Sequence, residues 1–98
     1  MTDPASLRDM TELRAEIDAT DKALAALLAH RAQLIDRAAD IKAGNGLPAR
    51  ITSRVDEVLD NARANAGACG LDPDLAEDLW HRLVEWSIRR EEAALGRE

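Results

Sequence analysis

The sequence predicts an all-α fold: a three-helix chain with one very long N-terminal helix. Three observations carry that expectation. The stretch from Ala5 to Ala43 contains neither Gly nor Pro. Along it, apolar residues recur at Met10, Leu13, Ile17, Leu24, Leu27, Leu34, Ala38 and Ile41, in the steps of three, four and seven that describe one helix stripe. Two further segments each run from a helix start signal to a Gly stop. Ala and Leu dominate while β-branched residues are few, which favours helix over sheet. No strand pattern, internal repeat or low-complexity segment is present.

The first helix is expected over residues 7–43, with Ser6 as its cap and Asp9 three residues on. Residues 1–6 read as a flexible N-terminus. Gly44-Asn45-Gly46, with Pro48 just beyond, reads as the helix stop, a mobile flap beside Lys42 being the second reading. Thirty-seven helical residues would run about 55 Å, whereas a compact chain of this size has a radius of gyration of about 13 Å. The residues that follow cannot cover such a stripe. A second copy of the same helix is the simplest cover, so a homodimer is expected. A helix kinked back on itself is the alternative, but no Pro or Gly lies inside it to make the kink.

The second helix is expected to start at Thr52 or Ser53, to carry Val55, Val58, Leu59 and Ala62, and to end near Gly67 or Gly70. The third has Asp72 at its cap, Pro73 at its first position and Asp74 in its first turn. It carries Leu75, Leu79, Leu83, Val84, Ile88 and Leu95 and ends near Gly96.

Length and charge narrow the function classes. A chain of 98 residues reads as a single domain with a modest core, spanning 1–98. A formal net charge of −6 argues against a general nucleic-acid-binding surface. Cys69 is the one cysteine, read as a small buried or loop residue, so no intrachain disulfide can form. The polar, acidic first residues do not read as a signal peptide, and no apolar run approaches a membrane span. The cytoplasm is the expected compartment. His30 and His81 lack partners at metal-ligand spacing. Trp80 and Trp86 read as core or dimer anchors.

Chemistry shows first as a violation of the helical pattern. Arg31 falls on the apolar stripe, seven residues after Leu24 and seven before Ala38. A buried arginine is costly unless an anion pairs with it. Lys42 lies eleven residues on, three turns up and on nearly the same face. Two such long side chains can hold a small dianion between them, although a solvated, snorkelling pair fits the pattern too. On the third helix Ser87 and Glu91 sit four apart on the side of Trp80, Leu83 and Val84. They are either polar groups set in an apolar wall or an ordinary exposed pair, since Arg89, Arg90 and Glu92 make this end polar.

Taken in order, these residues resemble the all-helical chorismate mutases from about Leu13 to Leu95. The carrying segments are Leu13-Arg14-Ala15-Glu16-Ile17-Asp18, Leu27-Leu28-Ala29-His30-Arg31 and Ile41 to Pro48. Further on come Ser53-Arg54-Val55, Gly70-Leu71-Asp72-Pro73 and the Ser87/Glu91 pair. The resemblance implies an intertwined homodimer with two active sites that rearranges chorismate to prephenate, for Phe and Tyr biosynthesis, without a cofactor. It implies that Arg31 holds one substrate carboxylate and Arg14 the other, with Arg54 helping to bind. It implies that Lys42 donates to the ether oxygen of the breaking bond, that Glu91 faces the same oxygen, and that Ser87 is a further site position. Geometry adds a constraint: Arg14 and Arg31 would stand about 25 Å apart on one straight helix, so Arg14 must come from the partner.

Three positions depart from the family pattern. Position 91 is Glu where many relatives have Gln, and a carboxylate facing the ether oxygen works only when it holds a proton. Ile51 and Val55 are apolar where related mutases often place acidic side chains against the ring hydroxyl. These two positions leave open a related substrate, as for the isochorismate pyruvate lyases or the 4-amino-4-deoxychorismate mutases. A non-catalytic helical dimer is the reading from outside enzymology.

Overall fold

The computed structural model describes residues 1–97. In order they form a 3-10 turn at Pro4–Ser6 and three helices, α1 (Met10–Asn45), α2 (Thr52–Cys69) and α3 (Pro73–Leu95). Among the described residues there is no strand. The chain divides into two compact units, Met1–Gln33 and the remainder from Leu34 on.

In the first unit, α1 begins later than the sequence suggests, at Met10 rather than at residue 7. The reason is local. Asp3 accepts from the Ala5 N–H at 3.0 Å and the Ser6 hydroxyl donates to the Asp3 carbonyl at 2.7 Å, so Ser6 closes the 3-10 turn instead of capping α1. Leu7 is then extended, with φ −80° and ψ 125°. Asp9 takes the capping role, its carboxylate accepting from the Glu12 N–H at 2.9 Å. Glu12 reaches back in turn to the Arg8 N–H at 3.0 Å and to the Arg8 guanidinium, which holds its carboxyl below the usual range. The α1 stripe stays in solvent here: Met10, Ile17, Leu24, Leu27 and Leu28 are all exposed, Leu27 by 68%.

The second unit holds the rest of α1, then α2 and α3. α1 runs two residues past the expected end because Gly44 and Asn45 keep helical geometry, and Gly46 alone supplies the left-handed φ of 77°. α2 ends on Gly70 and α3 on Gly96, both left-handed. α3 starts as the sequence indicates, with Asp72 accepting from the Asp74 N–H at 2.9 Å and Pro73 first. α2 has no side-chain cap; Ile51 precedes it in extended geometry, and its carbonyl accepts from the N–H groups of Arg54 and Val55 at 3.0 Å each.

α2 and α3 pack against each other. Their buried residues there are small: Ala62 and Ala66 on α2, Ala76 on α3. The core then widens into Ala49, Val84 and Ile88, with Val55, Val58 and Leu95 against them. Several expected apolar positions are not in this core. Leu75, Leu79 and Trp86 are each more than two-fifths exposed. Cys69, read as buried or in a loop, is the exposed last residue of α2. Its thiol is 3.6 Å from the Ala66 carbonyl, one turn back. No described helix is long and apolar enough to cross a membrane.

Candidate active site

The α3 positions Val84, Ser87, Ile88 and Glu91 are all buried, and their steps of three and four put them on one face. Ser87 and Glu91 therefore belong to the core stripe and not to the polar end of the helix. They are 4% and 5% exposed. The Ser87 hydroxyl donates to the Leu83 carbonyl at 2.7 Å. Burying a carboxyl group is costly without a partner, and Glu91 has one: its Oε1 lies 2.9 Å from Lys42 Nζ.

Lys42 comes from the last turn of α1, and its side chain is 16% exposed. Its ammonium donates to the Ala49 carbonyl at 2.8 Å. The contact with Glu91 is close but not aligned as a hydrogen bond. Among the described residues Glu91 Oε1 receives none. An ammonium with three protons thus has one on a backbone carbonyl and faces a buried carboxyl group. A buried acceptor without an aligned donor calls for an explanation, and a functional site is one.

The segment joining α1 to α2 shapes this corner. Ala49 is 3% exposed. Arg50 makes a two-pronged bond to Glu85, at 2.9 and 2.7 Å, which holds the Glu85 carboxyl below its usual range. Asn45 Oδ1 accepts from the Leu47 N–H at 3.1 Å. Arg97 donates to the carbonyls of Lys42, at 3.2 Å, and of Leu47, at 3.1 Å. A segment with a mobile flap as its second reading is tied down at both ends and in the middle. A further link runs from α1 to α3: Arg90 bonds Asp36 at 2.6 and 3.0 Å, holding that carboxyl below its usual range, and lies 5.4 Å from the Trp86 ring centroid.

The other expected site residues are placed as follows. Val55 is half-buried against the core cluster, one turn into α2, and Ile51 is half-buried just before it. Arg54 is exposed and pairs with Glu57 on its own helix. Arg14, exposed, and Arg31, half-buried, lie on α1 in the first unit. Their spacing of 17 residues amounts to about 25 Å of helix. The structure thus brings Lys42, Glu91, Ser87 and Val55 into one unit around one small core. Sequence reasoning missed the Ala49 carbonyl, the Arg50–Glu85 bond and Arg97. Only Arg97 left a trace, as a cation directly after a helix-ending Gly.

Comparison with known proteins adds the following. Residues 13–92 match the family described as chorismate mutase type II. The chain is 39% identical over 83 residues to a T-protein of Enterobacter agglomerans, covering 85% of this chain and 22% of that protein. It is 33% identical over 82 residues to the T-protein of Haemophilus influenzae, covering 84% and 22%. It is 32% identical over 90 residues to a 4-amino-4-deoxychorismate mutase of Streptomyces venezuelae, covering 92% of this chain and 87% of that protein. The chain thus spans about a fifth of the length of the T-proteins it matches. No solved structure matches it significantly.

Proposed function

The chain belongs to the chorismate mutase type II family, and we propose that it is a cofactor-free isomerase converting chorismate to prephenate in the cytoplasm, for the synthesis of Phe and Tyr. Residues 1–98 act as one mutase-type domain in this reading, and two copies intertwine as a homodimer. The observation that carries it is the buried Lys42–Glu91 pair at 2.9 Å, set in an apolar wall with Ser87. A pericyclic step needs no nucleophile and no general base. It needs a compact substrate conformer and a donor aimed at the oxygen where negative charge develops. Lys42 supplies that donor. Arg31 and the partner's Arg14 take the two carboxylates, Arg54 exchanges Glu57 for substrate, and Ser87, Ile51 and Val55 complete the wall.

The homodimer rests on the α1 stripe. In the first unit alone Met10, Ile17, Leu24 and Leu27 stand in solvent at helical spacing. A second α1 buries such a seam, with a two-fold axis relating the copies.

A second reading keeps the fold and the rearrangement and changes the substrate to 4-amino-4-deoxychorismate. Ile51 and Val55 present no acidic group to a ring hydroxyl, and the Streptomyces relative carries that activity in its name over a matched length of 87%. Turnover of chorismate, isochorismate and 4-amino-4-deoxychorismate, assayed side by side, separates the readings. Chorismate is expected to be the best substrate. A clear preference for either analogue moves the assignment to it, and no turnover of any favours a non-catalytic dimer.

Glu91 adds a prediction of its own. A carboxylate beside the ether oxygen opposes the charge that Lys42 is there to stabilise, whereas an amide N–H in the same place can donate to it. Glu91→Gln is therefore expected to hold or raise kcat/KM on chorismate, and a loss as deep as that of a Lys42 variant would count against this reading.

A further inference from the structure

We propose that Arg97 is a positioning residue for Lys42, a role that rests on Lys42 being the ether-oxygen donor. Arg97 lies beyond the segment matched to the family, which ends at residue 92, so the role is not carried over from relatives. Its placement follows from the end of α3. Gly96 takes a left-handed turn with φ 66°, and the Arg97 N–H bonds back to the Glu92 carbonyl at 3.3 Å. That turn directs the guanidinium to the end of α1. There one terminal nitrogen donates to the carbonyls of Lys42, at 3.2 Å, and Leu47, at 3.1 Å.

Both acceptors matter. The Lys42 carbonyl is among the last four of α1, which have no partner further along their helix, and it already accepts from the Gly46 N–H at 2.9 Å. A cation at this end also suits the helix dipole. The Leu47 carbonyl lies two residues before Ala49, whose own carbonyl takes a Lys42 proton at 2.8 Å. Lys42 is thus held at both ends, by α3 and by the residue just past its stop: Glu91 faces its ammonium and Arg97 binds its backbone. Because the ammonium is shared between Ala49 and Glu91, the position of the Ala49 carbonyl decides where its remaining protons point. Without Arg97 the segment after α1 loses an anchor, and the Lys42 ammonium loses its fixed carbonyl partner at Ala49 and opens to solvent.

The chain has two lysines, Lys22 and Lys42, which allows a readout independent of turnover. Lys22 is exposed and serves as the internal reference. Full-length protein is treated briefly with acetic anhydride, and acetylation of each lysine is measured by peptide mass spectrometry. Arg97→Ala is expected to raise Lys42 labelling several-fold relative to Lys22, and to lower kcat by about tenfold with KM changed less. Gly96→Ala keeps the guanidinium but strains the turn that aims it, and should do the same in smaller degree. Gly70→Ala is the matched control, straining a left-handed turn with φ 80° at the end of α2, and should change neither readout. Unchanged Lys42 labelling in Arg97→Ala overturns the proposal, as does labelling that rises while kcat holds, or a Gly70→Ala protein that reproduces both effects. If the parent chain turns over no substrate, the mutase reading fails by itself, and the labelling ratio still decides whether Arg97 positions Lys42.

Discussion

Lys42→Met is expected to lower kcat on chorismate by roughly 10²–10³-fold, the loss seen when one donor to a developing negative charge is removed. KM should move little, because in the proposed site the arginines carry the substrate carboxylates. The variant also has a structural cost that must be separated from the chemical one. It leaves Glu91, 6% exposed at its side chain, buried without the ammonium beside it. Breaking a buried pair on one side costs up to about 3–5 kcal/mol. Part of that penalty is avoided if water reaches the carboxyl through the opening that Lys42 vacates. The double variant Lys42→Met with Glu91→Leu removes both polar groups from the same wall. Urea unfolding should show its stability returning toward that of the parent, while its kcat stays as low as that of the single variant. Recovery of activity along with stability would mean that Lys42 serves the fold and not the reaction.

How much of this was legible in the sequence depended on whether the deciding interaction was local. The Asp72–Pro73 start of α3 and the Gly70 and Gly96 stops act within a few residues, and the helices begin and end there. The start of α1 was misplaced by an interaction that is local too, but in competition: Asp3 and Pro4 recruit the Ser6 hydroxyl into their own turn. Ser87 and Glu91 were ambiguous because charged neighbours surround them. Glu91 faces Lys42, and Val84 and Ile88 on the same helix face pack with Ala49, Val55 and Val58, all remote in sequence. The Ala49 carbonyl left no signature, since any residue carries that acceptor. The surplus of apolar residues on α1 was fully legible. A stripe that no part of its own chain can cover is visible in spacing alone, and Ile17, Leu24 and Leu27 are indeed exposed.

That exposed stripe leads to the second large effect. Arg14→Ala and Arg31→Ala are each expected to lose activity by about 10²-fold or more, since truncating one side of a buried, hydrogen-bonded charge pair costs a few kcal/mol. When the two inactive proteins are unfolded together, refolded and mixed in equal amounts, activity should return. Random assortment makes half of the dimers mixed, and each mixed dimer has one site with both arginines and one with neither. The mixture should therefore reach about a quarter of the parent activity per chain. Arg14 and Arg31 lie on the same helix, 17 residues and about 25 Å apart, too far for one small dianion to bridge. A mixture no more active than the average of its two components would mean that each chain supplies its own arginines, or that one of them does not bind substrate. A mixture that recovers, and loses the gain when Leu24 or Leu27 is replaced by Glu in both components, ties the shared site to the α1 seam. Those charges would stand in the interface between the two long helices and keep the copies apart, while on the isolated chain they would sit in solvent at little cost.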